Sequence, residues 1–331
     1  MKKTIGILGS GGWGIALSLI LNKNGHDVKL WSYTKEEMDI INNEHRCKFL
    51  PEAVIPNEIV CYNDFETVIN GSDIIIIVTP SAAIRNTLHS IEKLVNKDQI
   101  ILLASKGIEA NTQKIYSDVI SEILPENKVA VISGPSHAEE VSRFIPTCIV
   151  IASIDKKLSL ELQDIFMNEI FRVYINDDVQ GVEIGGALKN VIALASGICN
   201  GLGYGDNSQA ALITRGLLEI SRLGIAMGAK SETFYGLTGF GDLFVTCASN
   251  NSRNRRCGIL IGKGLSVDDA KAELGGMVVE GIVAVDAGYQ LAHIYGIETP
   301  IINEMYDVIH KGKQAKQAAH NLLTRDRKAE F

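Results

Sequence analysis

The chain has 331 residues, 46% of them hydrophobic and 21% charged, with seven prolines. This length and balance predict two domains, each able to bury a core, and exclude disordered, collagen-like and low-complexity classes. Thirty-two Lys and Arg against 39 Asp and Glu give a net charge of −7, a field that repels polyanions and argues against nucleic acid as a partner. A small anionic ligand then requires a local gathering of cations.

In chain order, a β-rich run TIGILG is followed by a helical stretch over 13–24, a second run DVKLW and a second helical stretch over 34–43. This is a βαβ opening. Further strands are predicted at EIVCY, DIIIIV, QIILLAS, KVAVIS, TCIVIAS and FRVYI, several of them unbroken apolar runs suited to a sheet covered on both faces. The expected result is an α/β fold built on a doubly wound sheet. After Asn176 helical periods replace strands, and the Gly-rich turns GLGYGDN and GLTGFGD separate the helices, so the domains are placed at 1–177 and 178–331. The polar tail from Lys311 is expected to fray or to cap the helical domain. Two lysines before an apolar N-terminal stretch have the look of a signal peptide, but glycines break the stretch and no cleavage-like site follows. The segment from Ile184 to Leu202 is apolar, yet Lys189, Asn190, Ser196 and Asn200 interrupt it, which fits a buried helix rather than a membrane span. Six scattered cysteines, with no CxxC pair and no metal-ligand spacing, are read as free cytosolic thiols, and no metal site is expected.

Gly9, Gly11 and Gly14 form G-x-G-x-x-G between the first strand and the first helix. Gly9 permits a tight turn, Gly11 lets backbone approach a pyrophosphate, Gly14 allows close helix-to-strand packing, and the helix N-terminus attracts phosphate charge. The second strand ends Leu30-Trp31-Ser32-Tyr33-Thr34-Lys35, with no acid before Glu36 where an NAD-selective site usually has one. That leans toward NADP(H), with NAD(H) also admissible; Lys35 would reach a 2′-phosphate or simply be solvated.

Ligands of open α/β sheets sit beyond the carboxyl ends of the strands, where this chain places Thr79-Pro80-Ser81, Lys106 and Gly134-Pro135-Ser136. The Gly134–Ala138 turn is expected to line the nicotinamide end of the crevice. Ser136 and Glu139 read as a capping box, S-x-x-E, a structural role that needs no ligand. Lys106 leaves an apolar strand either for that crevice or to snorkel into solvent. On the long helix after Asn176, Val182, Gly185, Gly186, Lys189, Ala193, Ser196 and Asn200 share one face, a small-residue stripe that invites close packing. Lys189 within it is expected to be desolvated and its pKa lowered toward the range useful for proton transfer. The segment SRNRR gathers Arg253, Arg255 and Arg256 with Ser252 and Asn254, either a phosphate grip or a solvated basic turn, and Asp242 upstream could orient Lys189.

Together GSGGWG, SKGIE, GPSHAEEV, GVEIGGALKNVIALASG, GLTGFGDLFVTC, SRNRR and VVEG resemble the NAD(P)-dependent sn-glycerol-3-phosphate dehydrogenases of bacteria over essentially the whole chain. The resemblance implies a Rossmann-type N-terminal domain and an all-α C-terminal domain like that of 6-phosphogluconate dehydrogenase. It implies reversible reduction of dihydroxyacetone phosphate, a phosphorylated triose, for phospholipid synthesis by a cytoplasmic homodimer with no membrane span. By the same resemblance Lys189 is the proton donor or acceptor, and Lys106, Gly134, Ser136, Asp242, Ser252, Arg253 and Asn254 lie at the substrate. Ser10, Gly11, Trp13, Tyr33, Lys106, Ala138, Arg253, Val278 and Glu280 fall near the cofactor. Read from the residues alone, a reductase of carboxylate substrates on the same plan and a cofactor-sensing binding protein stay open beside it.

Overall fold

The computed structural model describes every residue except Lys328 and Phe331. The chain divides into two compact units, one formed by Met1–Glu109 with Lys114–Glu183 and the other by Ala110–Gln113 with the chain from Ile184 onward.

In the first unit, eight strands alternate with helices: β1 (Thr4–Leu8), α1 (Gly12–Lys23), β2 (Asp27–Trp31), α2 (Lys35–Glu44), β3 (Val60–Tyr62), α3 (Phe65–Ile69), β4 (Ile74–Ile77), α4 (Ile84–Ile91), β5 (Ile100–Leu103), α5 (Tyr116–Ile123), β6 (Val129–Ser133), α6 (Ala138–Val141), β7 (Thr147–Ala152), α7 (Lys156–Phe166) and β8 (Phe171–Asn176). They form one sheet in the order β3-β2-β1-β4-β5-β6-β7-β8. The apolar runs explain its centre: all four residues of β4 and of β5 are buried, as strands with helices on both faces must be. The strand order reverses between β1 and β4, which places a ligand crevice beyond their carboxyl ends. One strand departs from the parallel pattern, since β7 pairs with β6 antiparallel. The connection over 134–146 holds only the four-residue α6, whereas a parallel crossover usually carries a full helix. With α7 in the next connection, β8 returns parallel to β7.

The chain then enters α8 (Val179–Gly201), followed by α9 (Asp206–Ala226), α10 (Ser231–Tyr235), a π-helical turn over Leu237–Gly241, α11 (Asp242–Ala248), α12 (Arg253–Gly262), α13 (Val267–Glu273), α14 (Glu280–Tyr295), α15 (Pro300–His310) and α16 (Ala315–Leu323). Among the described residues this second unit contains no strand. Although α8 is long and apolar enough to cross a membrane, its most apolar stretch is wholly buried within the fold. The small-residue face achieves the expected close approach: a Cβ on Gly197 would lie 2.1 Å from the Arg255 carbonyl, and one on Gly201 2.3 Å from that of Ile259. The partner helix α12 answers with Gly258 and Gly262, so two glycine pairs let the α8 and α12 backbones touch. The described part of the tail does not fray throughout. It forms α16, while Lys313 pairs with Glu304 at 2.8 Å and Asp307 at 2.6 Å, and Arg325 pairs with Glu298.

Candidate active site

Sequence and packing together shape the glycine loop. Gly9 has φ +134, and a Cβ there would meet the Val78 carbonyl at 2.9 Å, so the first βα turn folds directly against the end of β4. Gly14 is tighter still, with a Cβ 1.9 Å from the Gly9 carbonyl. At Gly11, by contrast, a Cβ would meet nothing within 4 Å. Gly11 is the N-cap of α1 with no side-chain cap bond and no acid in the first turn, leaving the helix N-terminal N–H groups and the positive end of its dipole for an anion. The indole N–H of Trp13 is buried without a partner. An open space above Gly11, an uncapped helix and an orphaned donor together fit a dinucleotide pyrophosphate. Ala138 faces the loop, its Cβ 3.6 Å from where one on Gly12 would stand. Tyr33 is exposed just beyond β2.

At the strand ends, three predicted residues converge on one atom. The Gly134 carbonyl accepts from the Lys106 ammonium at 3.0 Å and from the Ser136 hydroxyl at 3.0 Å, with Gly134 itself at φ +130. The S-x-x-E capping box is not formed, because the N-cap of α6 is His137 and the Ser136 hydroxyl turns back to Gly134 instead. Two further hydroxyls at strand ends, Thr79 after β4 and Ser133 closing β6, are buried with no hydrogen-bond partner.

In the helical unit Lys189 is buried on α8, its ammonium bonded to the Asp242 carboxylate and to the Thr246 hydroxyl at 2.7 Å. Asp242 and Thr246 are successive-turn residues of α11, and the Thr246 hydroxyl also lies 2.6 Å from the Asp242 carbonyl. Lys189 is therefore a desolvated cation held by a buried carboxylate, where an unpaired ammonium would cost several kcal/mol. The π-helical turn before α11 fits closely here: Gly185 leaves only 2.7 Å between a Cβ and the Thr238 carbonyl.

A second cluster starts from the next residue of α8. Asn254 donates to the Asn190 side chain at 2.8 Å and accepts from the Gly281 N–H at 2.8 Å, tying α8, α12 and the start of α14 together. This places Glu280, the first residue of α14, next to the asparagine pair, while Val278 is exposed just before it. Ser252 caps α12 by accepting from the Arg255 N–H at 3.2 Å. Arg253 is exposed at the first position of that helix, and Arg255 binds the Asn250 side chain at 2.7 Å.

Two participants are absent from the sequence reading. Asn190 was legible only as an interruption of an apolar helix. Glu37 stands in a Thr34-x-x-Glu37 pattern that reads as ordinary capping, yet its carboxylate reaches the hydroxyls of Ser10, inside the glycine loop, and of Ser32, directly after β2.

The strand order and the glycine loop define a Rossmann-type dinucleotide-binding protein with an α-helical second unit. Residues 4–159 match the N-terminal family of NAD-dependent glycerol-3-phosphate dehydrogenases and residues 178–320 the C-terminal family. The chain belongs to the NAD-dependent glycerol-3-phosphate dehydrogenase family. It is 50% identical to a glycerol-3-phosphate dehydrogenase [NAD(P)+] of Fusobacterium nucleatum, covering 99% of this chain and 98% of that one. The crystal structure of a glycerol-3-phosphate dehydrogenase from Coxiella burnetii superposes with a TM-score of 0.95 at 38% identity, over 98% of this chain and 99% of that one. A ketopantoate reductase from Ralstonia eutropha, at 16% identity and a TM-score of 0.62 over 96% of this chain and all of that one, shares the fold alone.

Proposed function

We propose that the protein interconverts dihydroxyacetone phosphate and sn-glycerol 3-phosphate with NAD(H) or NADP(H). The observation that carries this reading is the buried Lys189–Asp242–Thr246 cluster in a chain of this family. A bound nicotinamide would supply the hydride. Lys189 gives a proton to the oxygen on the reduced carbon, and Asp242 and Thr246 fix the direction in which its ammonium points. Lys106 adds positive charge at the substrate from the Gly134 carbonyl on which it rests. Arg253, at the exposed N-terminus of α12, grips the phosphate, so that binding energy remote from the carbonyl orients the reacting carbon. Asn254 has one amide hydrogen left after bonding Asn190, and that hydrogen is its contribution to the phosphate. Gly9, Gly11, Gly14, Trp13, Ala138, Tyr33, Val278 and Glu280 are assigned to the dinucleotide.

The expected preference for NADP(H) rests on an acid-free end of β2 and on Lys35, which is exposed; the inward-turned Glu37 weighs toward NAD(H). A cytoplasmic homodimer supplying phospholipid synthesis is the accompanying proposal, and sedimentation of the purified protein tests the dimer. The reaction is tested by loss of absorbance at 340 nm when dihydroxyacetone phosphate meets the protein with NADH and, separately, NADPH. Turnover with either is expected. Folded protein that binds a dinucleotide yet reduces ketopantoate in preference to the phosphorylated triose would overturn the reading.

A further inference from the structure

We propose that the charge of Glu37, turned in against the glycine loop, makes the nucleotide site selective for NAD(H) against NADP(H). The inference rests on the dinucleotide part of the function proposed above and concerns the charge that meets the 2′ position of the adenosine.

Its first support is where the Glu37 side chain goes. Thr34 caps α2 by accepting from the Glu37 N–H at 3.3 Å. In a capping box the third residue returns its carboxylate to the N-cap N–H. Here Oε2 instead accepts from Ser10 at 2.9 Å and from Ser32 at 3.2 Å, and Oε1 is buried with no partner. Leaving a buried carboxylate oxygen unpaired is costly, so the arrangement is imposed by the loop around it rather than by the helix.

The second support is a count of protons. Ser10 and Ser32 carry one hydroxyl proton each and lie 3.0 Å apart, and the carboxylate only accepts. Three contacts share two protons, so neither hydroxyl has one to offer outward. Among the described residues no Lys, Arg or His pairs with Glu37, and the neighbouring thiols of Cys47 and Cys61 are buried. The uncompensated charge therefore reaches the glycine loop.

The third support is position. Ser10 sits between Gly9 and Gly11, and Ser32 follows β2 directly. In Rossmann-type sheets an acid roughly 20 residues beyond the glycine loop, at the end of the second strand, receives the ribose 2′-hydroxyl. This chain has no acid at the strand end, and Glu37 brings the charge to the same place from the first turn of the following helix. A 2′-phosphate near neutral pH carries close to two negative charges and has only acceptors. It meets a carboxylate with no donor to offset it, while a 2′-hydroxyl carries its own proton and little charge.

The test is dissociation constants for NADH and NADPH, from quenching of tryptophan fluorescence with no triose present, for the wild type, Glu37→Gln and Ser32→Ala. Wild type is expected to bind NADH at least about tenfold more tightly, and added salt is expected to narrow the ratio by weakening the repulsion. Glu37→Gln keeps the shape and an acceptor but removes the charge, and should shrink the ratio about tenfold, chiefly by tightening NADPH. Ser32→Ala keeps the charge and should keep the ratio. Equal effects of Glu37→Gln on both dinucleotides, or a wild type that prefers NADPH, would overturn the inference while leaving the dehydrogenase reading intact. Should Glu37→Gln not fold, a wild-type ratio unmoved by salt overturns it instead. Binding of neither dinucleotide by folded wild type would overturn the cofactor reading itself, and this inference with it.

Discussion

The Lys189–Asp242 pair lends itself to a double-mutant cycle that separates stability from chemistry. Both side chains are almost fully withdrawn from solvent, with 8% and 1% of their surfaces exposed. Removing one member of such a pair strands the other charge, at about 3–5 kcal/mol. In a domain of roughly 150 residues each kcal/mol moves the midpoint by about 2–4 °C, so Asp242→Asn and Lys189→Met should each unfold about 6–20 °C below wild type. Removing both charges leaves a neutral pair of similar volume. The double variant should therefore recover most of that loss, with a coupling of several kcal/mol. Turnover should not recover, because the proton-bearing group is gone, while NADH binding persists in all three variants. Thermal unfolding followed by circular dichroism gives the stability terms, and initial rates at saturating triose give the chemistry. Two results would refute the reasoning. Asp242→Asn melting with wild type would show that the carboxylate does not offset a buried ammonium. Wild-type kcat in Lys189→Met would remove this lysine from proton transfer.

Three other substitutions probe the frame of the two units. A Cβ at Gly11 meets nothing within 4 Å, so Gly11→Val should lower the melting temperature by only a few degrees, through the weaker N-cap, but lose dinucleotide binding, whereas Gly14→Ala places a Cβ 1.9 Å from the Gly9 carbonyl and should lower the melting temperature more strongly, and binding with it; a titration and a melting curve on each variant would show it, and NADH binding by Gly11→Val at wild-type affinity would count against the pyrophosphate assignment. Glu219, buried on α9, accepts from the Ile301 N–H at 2.8 Å and the Ile302 N–H at 3.2 Å at the start of α15, and burial pushes its carboxyl up to about 7. Because that value lies above the unfolded one, the stabilisation is complete below about pH 4.5 and is lost as pH rises through about 7, up to about 3 kcal/mol. Glu219→Gln keeps an acceptor for both N–H groups without titrating, so its advantage in melting temperature over wild type should grow between pH 4.5 and 7; a constant difference across that range would show that Glu219 does not titrate there.

Local pattern was enough for most of the frame. Four successive isoleucines in β4 put apolar side chains on both faces and so announce a strand buried on both, and three glycines running from the end of a strand into a helix announce the loop that packs against the end of β4. The direction of β7 was not legible in the same way, since an apolar run specifies burial but not the sense in which it pairs; the antiparallel pairing goes with a connection that forms only a four-residue helix. The glycine pairs joining α8 to α12 were half legible. A stripe of small residues on α8 signals close approach, but the partner glycines on α12 lie about 60 residues away, in a segment dominated by arginines.

Lys189 and Glu37 show why two charged residues can differ so much in legibility. A lone lysine in a long uncharged helix has no local explanation, so its presence demands a partner somewhere in the fold, and the carboxylate following a Gly-rich turn was a natural candidate. Glu37 has a complete local explanation: it stands three residues after a threonine at the start of a helix, where capping accounts for it without reference to anything else. Only the side-chain hydrogen bonds reveal that the carboxylate has left that role for Ser10 and Ser32. A residue with a satisfied local pattern thus conceals a tertiary role more effectively than one whose pattern is broken. For this chain the hidden residue is the one proposed above to decide between the two nicotinamide cofactors, whereas the β2 end read by its own letters leans toward NADP(H).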